Sequence, residues 1–183
     1  MAKIENAEAA IEEIRKVRQA RYFEDRPVPE DVLNELLEVA RWSGSARNQQ
    51  PWHFVVMTDK AQLKAISEVR ESINWVAGAP LAIALVFNTN NPTVGYDEGR
   101  VTERILIAAS LLGLGGGTAW FLSDSEKSVG ADVIGVPDEM FCRSVVVLGY
   151  PTTLKDLREG ANIPGRKPLE ELVSYGTYGQ SKG

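Results

Sequence analysis

The sequence has little of the chemistry used for disulfides and metal sites, because its 183 residues include one cysteine, Cys142, and one histidine, His53. A single cysteine cannot form an internal disulfide. One cysteine and one histidine cannot supply a nitrogen–sulfur metal site, so we expect no metal. A Ser-His-acid triad would depend on His53, and no nucleophile-elbow motif accompanies it. Cys142 lies within an apolar run and is expected to be a buried, unreactive thiol.

Positive charge is also scarce, since 20 Lys and Arg stand against 25 Asp and Glu, which gives a net charge of -5. This excess of acid argues against a nucleic-acid partner. Residues Met1–Asn6 lack the apolar core of a signal peptide. A single cysteine is compatible with a reducing compartment, so we expect a cytoplasmic protein.

One uncharged run, Ile105 to Leu122, is long enough to raise the question of a membrane span. It reaches the lower length limit for a spanning helix. However, it carries four glycines between Gly113 and Gly117, which weaken a helix and commonly end one. We therefore expect a buried helix, a glycine turn and a short strand, and no membrane partner.

Hydrophobic periodicity predicts a single domain over residues 1–183 with an α+β fold. Expected helices cover 7–17, 30–41, 60–69, 96–112 and 125–134, and expected strands cover 52–57, 81–87, 118–122 and 141–148. This order lacks a clean βαβ alternation, which favours α+β over a doubly wound sheet. Residues 152–183 have low periodicity and cannot bury much apolar surface alone. We expect this tail to wrap around its own subunit or a partner.

A polar loop from Ser43 to Gln50 joins an amphipathic helix to an apolar strand. Its serine, asparagine and glutamine side chains offer neutral hydrogen bonds, and it contains no acid. Such a loop suits a planar ligand with carbonyls and ring nitrogens, such as an isoalloxazine. The same residues are also typical of a capped turn. Trp42 and Trp52 bracket the loop and are expected in the core.

Two pairs of cations are suggestive in so acidic a chain. Arg18 and Arg21 lie at the end of the first predicted helix, and Arg166 and Lys167 lie in the tail. Arginines placed in this way are consistent with a phosphate site. Solvated side chains are the usual alternative, and composition alone does not choose between them.

Three blocks of the sequence, taken together, resemble the nitroreductase family of FMN-dependent flavoproteins across nearly the whole chain. The central block is similar to the family's Pro-Ser-x-x-Asn-x-Gln-Pro-Trp motif and is its most specific part. The blocks are Arg18-Gln19-Ala20-Arg21-Tyr22-Phe23 with Arg26–Pro29, then Ala40-Arg41-Trp42-Ser43-Gly44-Ser45-Ala46-Arg47-Asn48-Gln49-Gln50-Pro51-Trp52, then Leu112–Gly117 with Gly165–Leu172.

The resemblance implies an α/β sandwich with a central, mostly antiparallel sheet flanked by helices. It implies a homodimer that exchanges its C-terminal tail and binds FMN between subunits. The implied enzyme is an NAD(P)H oxidoreductase that passes hydride through flavin N5 to a small-molecule acceptor such as a nitroaromatic or a quinone. No catalytic side chain is then expected. A protein of the same fold that sequesters flavin without turnover is the alternative, and a different reductant is a third.

Transferred residue by residue, the resemblance implies twelve cofactor-binding positions. The first block and the tail would hold the phosphate and ribityl chain, the polar loop would contact the flavin, and the strand after the glycines would line the ring near N5 through backbone groups. The sequence departs from the family where Gln19 replaces a common serine, and where Trp120-Phe121 replaces a common acid–glycine pair. The positions are Arg18, Gln19, Arg21, Ser45, Asn48, Gln50, Thr118, Ala119, Trp120, Phe121, Arg166 and Lys167.

Overall fold

The computed structural model describes residues 6–152 and 165–182, which fall into two units that divide after residue 153. Within these residues, no helix combines the length and the apolar character needed to cross a bilayer. The helices are Ala7–Lys16 (α1), Glu30–Arg41 (α2), Lys60–Glu68 (α3), Pro92–Leu111 (α4) and Asp124–Ile134 (α5), and the strands are Trp52–Met57 (β1), Leu81–Phe87 (β2), Gly115–Trp120 (β3) and Phe141–Gly149 (β4). Shorter 3-10 helices cover Ala46–Asn48, Glu71–Gly78 and Leu169–Glu171.

The first unit is built on a four-stranded sheet in the order β1-β2-β4-β3. Every neighbouring pair is antiparallel, which confirms the predicted α+β class. One face of the sheet packs with α2 and α4, where Leu36, Leu85 and Ile105 are buried together. The other face packs with α3 and α5, around Leu63 and Ile134. Helices on both faces explain why the two central strands are almost continuously apolar.

Helix α4 begins four residues before the predicted start near Tyr96. The Asn91 side chain accepts hydrogen bonds from the Thr93 and Val94 amides at 2.9 and 3.2 Å. Pro92 occupies the first turn, where its fixed φ angle suits a helix and its missing N–H has no partner to lose. Asn91-Pro92 is therefore a helix start, and the predicted loop ends before it.

Only the first of the glycines after α4 forms the predicted turn. Gly113 makes the turn with a φ of 78°, and strand β3 already begins at Gly115, before the predicted Thr118. A Cβ atom at Gly116 would lie 2.7 Å from Leu106 and 2.8 Å from Leu148. The strand thus approaches α4 and β4 too closely to carry a side chain there.

The prediction that both tryptophans lie in the core is wrong for Trp42. Trp52 is half-buried against the α2–α4 side of the core, whereas Trp42 is 68% exposed. The Trp42 indole Nε1 donates to Glu38 Oε1 at 2.7 Å. The apolar residues of α2 lie on its opposite face, so the helix turns Trp42 towards the surface. Cys142 is buried as predicted, and burial raises the pKa of its thiol to about 12.

A buried carboxylate connects α4 to β4. Glu98 is 1% exposed, the Ser144 hydroxyl donates to its Oε1 at 2.5 Å, and Arg143 Nε lies 2.6 Å from its Oε2. The Arg143 contact is an ion pair without an aligned hydrogen bond. Burial raises the pKa of Glu98, although Ser144 and Arg143 act in the opposite direction. The pair fixes the register between helix and strand.

The second unit, as far as the structure describes it, is a short exposed segment. It contains the 3-10 helix Leu169–Glu171 and a turn in which the Tyr175 amide donates to Gln180 O at 2.9 Å. The Gly179 amide donates to Ser174 Oγ, also at 2.9 Å. Local hydrogen bonds, and not a core of its own, therefore shape this segment.

We expect Glu98→Ala to lower the free energy of unfolding by about 3 kcal/mol, because it leaves the Arg143 charge partly buried and unpaired. Denaturant unfolding at fixed protein concentration measures the change. Glu103→Ala, on an exposed face of the same helix, is the control and should change stability by less than about 0.5 kcal/mol. Equal effects of the two substitutions would refute the role assigned to Glu98.

Candidate functional site

The segment after α1 runs along the outer edge of β3. Gln19 forms a parallel bridge with Gly116, and the Ala20 amide donates to Gly116 O at 2.8 Å. A Cβ atom at Gly115 would lie 2.7 Å from Ala20 Cβ, and one at Gly117 would lie 2.8 Å from Ala20 O. Glycine is therefore required in β3 so that this segment can approach. The contact brings Gln19 beside the strand that carries three other predicted site residues, Thr118, Ala119 and Trp120.

Both arginines of this segment are exposed. Arg18 Nη1 donates to the carbonyl oxygens of Arg15 at 2.5 Å and Val17 at 2.7 Å, at the end of a helix whose last carbonyls lack partners. The Arg21 guanidinium lies 5.8 Å from the centre of the Trp75 ring. No acid within residues 6–152 pairs with either guanidinium. Two cations are thus held at this edge and remain able to bind an anion.

The outer edge of β3 presents one open pair of backbone groups. Residues of a strand direct their N–H and C=O alternately to its two sides, so Gly116, Thr118 and Trp120 face away from β4. The Gly116 carbonyl accepts from Ala20, and the Trp120 carbonyl accepts from Arg70 Nη1 at 3.1 Å. Neither the N–H nor the C=O of Thr118 has a hydrogen-bond partner among the described residues. A donor and an acceptor side by side suit the edge of a planar heterocycle.

The other residues predicted on this strand contribute less. Ala119 is buried and pairs with Val145 of β4. The Phe121 side chain is buried in the α3–α5 side of the core, and its amide donates to Arg143 O at 2.9 Å. The Trp120 side chain is 42% exposed. Thr118 and Trp120 are therefore the members of this group that a ligand at the strand edge can reach.

The polar loop holds a strained backbone. Arg47, Asn48 and Gln50 have φ angles of 54°, 53° and 48°, a left-handed conformation that is uncommon outside glycine and that marks functional loops. Ser45 Oγ accepts from the Gln50 amide at 2.8 Å, and Gln50 Nε2 donates to Asn48 O at 3.3 Å. The loop is thus closed by its own hydrogen bonds. The Asn48 side chain is exposed and takes no part in these bonds.

Two arginines of α4 hold the start of the loop. Arg104 Nη1 donates to Trp42 O at 3.0 Å. Arg100 Nη1 donates to Gly44 O at 3.4 Å and to Asp97 Oδ1 at 3.1 Å. Neither arginine was predicted from the sequence to be part of the site. Their spacing of four on a helix, where side chains share a face, was the available signal.

The structure does not collect the predicted positions into one pocket of the first unit. The polar loop leads into β1, at one edge of the sheet, whereas the Arg18–Arg21 segment lies along β3 at the other. Three inter-strand spacings separate these edges, which is about 14 Å. Arg166 and Lys167 belong to the second unit, where both are exposed. The predicted positions of the first unit therefore form two separate groups, here called half-sites, one cationic with open backbone groups and one rich in neutral amides.

Comparisons with known proteins agree on one family. The sequence model of the Nitroreductase family matches residues 14–98. A protein of Archaeoglobus fulgidus, named as an NADH dehydrogenase/NAD(P)H nitroreductase, is 31% identical over 150 residues, which cover 78% of this chain and 85% of that protein. A protein of Bacillus subtilis named FMN reductase (NAD(P)H) is 24% identical over 182 residues, which cover 88% of this chain and 71% of the relative.

A solved structure shares the fold. The FMN-dependent nitroreductase from Clostridium difficile R20291 superposes with a TM-score of 0.73 at 22% sequence identity. The alignment covers 85% of this chain and 99% of that one. The likeness confirms the predicted sandwich architecture.

We expect Ser45→Ala to loosen the polar loop, because the substitution leaves the Gln50 amide without its acceptor, a loss of about 1 kcal/mol. Hydrogen exchange at the Gln50 amide should become several-fold faster, while exchange in β2 stays unchanged. Ser72→Ala, at an exposed position in the Glu71–Gly78 segment, is the control and should alter neither. Unchanged exchange at Gln50 in the Ser45 variant would contradict the proposed closure.

Proposed function

Because this chain belongs to the nitroreductase family, we propose that it is an FMN-dependent NAD(P)H oxidoreductase. The acceptor would be a small oxidised molecule such as a nitroaromatic or a quinone. FMN appears in the names of both the Bacillus subtilis relative and the Clostridium difficile neighbour. The observation that carries the proposal is the Arg18–Arg21 segment laid against β3 beside the open backbone groups of Thr118.

The donor set at that edge fits FMN. A phosphate dianion forms strong, charge-assisted hydrogen bonds with guanidinium groups, and Arg18 and Arg21 have no competing acid within residues 6–152. The isoalloxazine ring carries carbonyls and ring nitrogens, which match the Thr118 backbone and the Asn48 and Gln50 amides. Arg166 and Lys167 are proposed as further phosphate ligands on the strength of the family motif.

Bound FMN would supply the redox chemistry, accepting hydride from NAD(P)H and passing it to the acceptor. The protein would hold the cofactor and orient it towards its substrates. Arg18 and Arg21 would hold the phosphate end, and the neutral N–H groups would donate hydrogen bonds to the ring and stabilise negative charge there. No side-chain acid or base is assigned, and the exposed edge admits water as the proton source.

A homodimer would join the two half-sites. In a two-fold dimer the same surface of each subunit meets its counterpart, so the polar loop of one chain can face the β3 edge of the other. Helix α1 supports such a surface, since none of its residues is buried and Ile11 and Ile14 are 50% and 48% exposed. The second unit also exposes Leu172 and Tyr178. We propose that α1 and the tail pack on the partner.

We expect the double variant Arg18→Ala/Arg21→Ala to bind FMN about tenfold to a hundredfold more weakly, because two charge-assisted contacts to phosphate are lost. Fluorescence titration of the apoprotein with FMN measures this change. The control is Arg15→Ala/Lys16→Ala, which removes the same charge one turn earlier and should bind FMN as the unaltered protein does. Unchanged affinity in the Arg18/Arg21 variant would exclude the phosphate assignment, and protein that stays colourless after incubation with FMN would exclude the function.

We also expect Ile14→Glu to convert the dimer into monomers of 20.1 kDa and to weaken FMN binding, because each site needs both chains. Light scattering at fixed concentration measures the mass. Val129→Glu alters a residue of α5 that is also 50% exposed and should leave both mass and affinity unchanged. An unaltered protein that binds FMN as a monomer would rule out the shared site.

A further inference from the structure

Trp42 is an exposed aromatic side chain with a fixed orientation. It is 68% exposed, although apolar surface of this size is costly to leave in water. Glu38 Oε1 accepts from the indole Nε1 at 2.7 Å, and the Arg41 guanidinium lies 5.1 Å from the ring centre. Glu38 also accepts from Arg41 Nε at 2.8 Å. The indole is thus held by its edge, and a broad part of its surface remains open.

Two further guanidinium groups contact the backbone at Trp42 and just after it. Arg104 Nη1 bonds to the Trp42 carbonyl, and Arg100 Nη1 bonds to the Gly44 carbonyl and Asp97. The remaining nitrogens of both side chains have no partner among the described residues. Four positions apart on α4, the two side chains lie on one face. Asp97 pairs with Arg100 only. The corner formed by Trp42, Arg100 and Arg104 is therefore positive, in a chain whose net charge is -5.

We propose that this corner binds the adenosine 2′-phosphate of NADPH, and that the enzyme therefore prefers NADPH to NADH. Adenine would stack on Trp42, since bases bind exposed aromatic rings through their π faces. The 2′-phosphate would lie between Arg100 and Arg104, whose planar forks match phosphate oxygens. NADH carries a hydroxyl at this position and gains nothing from the two cations.

The position of the corner suits this role. Residues 42 and 44, whose carbonyls the arginines hold, lead directly into Ser45–Gln50, the part of the loop assigned to the flavin. Nicotinamide must reach the flavin ring, while adenosine is the opposite end of the dinucleotide. The corner therefore adjoins the proposed flavin site without being part of it. This inference rests on the proposed oxidoreductase function.

Binding of two nucleotide fragments tests the assignment without turnover. Calorimetry on the FMN-loaded protein should show adenosine 2′,5′-bisphosphate binding at least about tenfold more tightly than 5′-AMP, because the 2′-phosphate adds charge-assisted hydrogen bonds. Arg100→Ala/Arg104→Ala should abolish that difference. Trp42→Ala should weaken both fragments by a similar factor. Lys60→Ala/Lys64→Ala, with the same spacing on α3, is the control and should keep the difference. Equal affinities for the two fragments in the unaltered protein would overturn the proposal.

Kinetics separate phosphate binding from loop positioning, since the same arginines also hold the loop. In the Arg100/Arg104 variant, kcat/KM should fall at least about tenfold more for NADPH than for NADH. Arg104→Lys keeps the charge and should retain most of the preference. Equal losses for both dinucleotides would mean that the arginines act on the loop alone, which refutes the inference and leaves the oxidoreductase intact. If neither NADPH nor NADH bleaches bound FMN, that result would instead refute the proposed function, and this inference with it.

Discussion

The close approach of the Arg18–Phe23 segment to β3 is the constraint on which the cationic half-site depends. Ala20 occupies the space that side chains at Gly115 and Gly117 would need, while Leu106 and Leu148 occupy the space beside Gly116. Backbone therefore meets backbone at this edge, and the helix end with its two arginines is held against the strand. Because the segment covers the edge only as far as Gly116, the next outward-facing residue, Thr118, keeps its backbone groups open.

The order of the strands makes assembly part of the proposed function. With β1 and β3 at opposite edges, no rotation of side chains can bring the polar loop to the Arg18–Arg21 segment within one sheet. An interface can do so, and it would also cover the isoleucines that α1 leaves in solvent. Cofactor binding and association would then stabilise each other, since FMN would bind only the assembled state.

Much of the fold could be predicted because buried segments have a recognisable apolar composition. Strands β2 and β4 are covered on both faces and read as apolar runs. The start of β3 could not be predicted, because whether glycines end a helix or admit a neighbouring chain depends on what approaches them. The prediction for Trp42 was wrong for a related reason, since an aromatic residue at a helix end can face either the core or the solvent. The half-sites came from motif resemblance, but the arginines that hold the loop bond to backbone carbonyls, which no residue type reveals.

The loop illustrates how strain and ligand binding are connected. Left-handed conformations at Arg47, Asn48 and Gln50 cost on the order of 1–3 kcal/mol each, and the hydrogen bonds within the loop, such as the one between Ser45 and Gln50, offset part of this cost. The two α4 arginines add bonds from outside it, and α4 is itself fixed to β4 through Glu98. The stability of the core is thus transmitted to a loop that would otherwise relax. A loop already held in one conformation loses little entropy when a planar ligand binds, so a larger part of each amide contact appears as affinity.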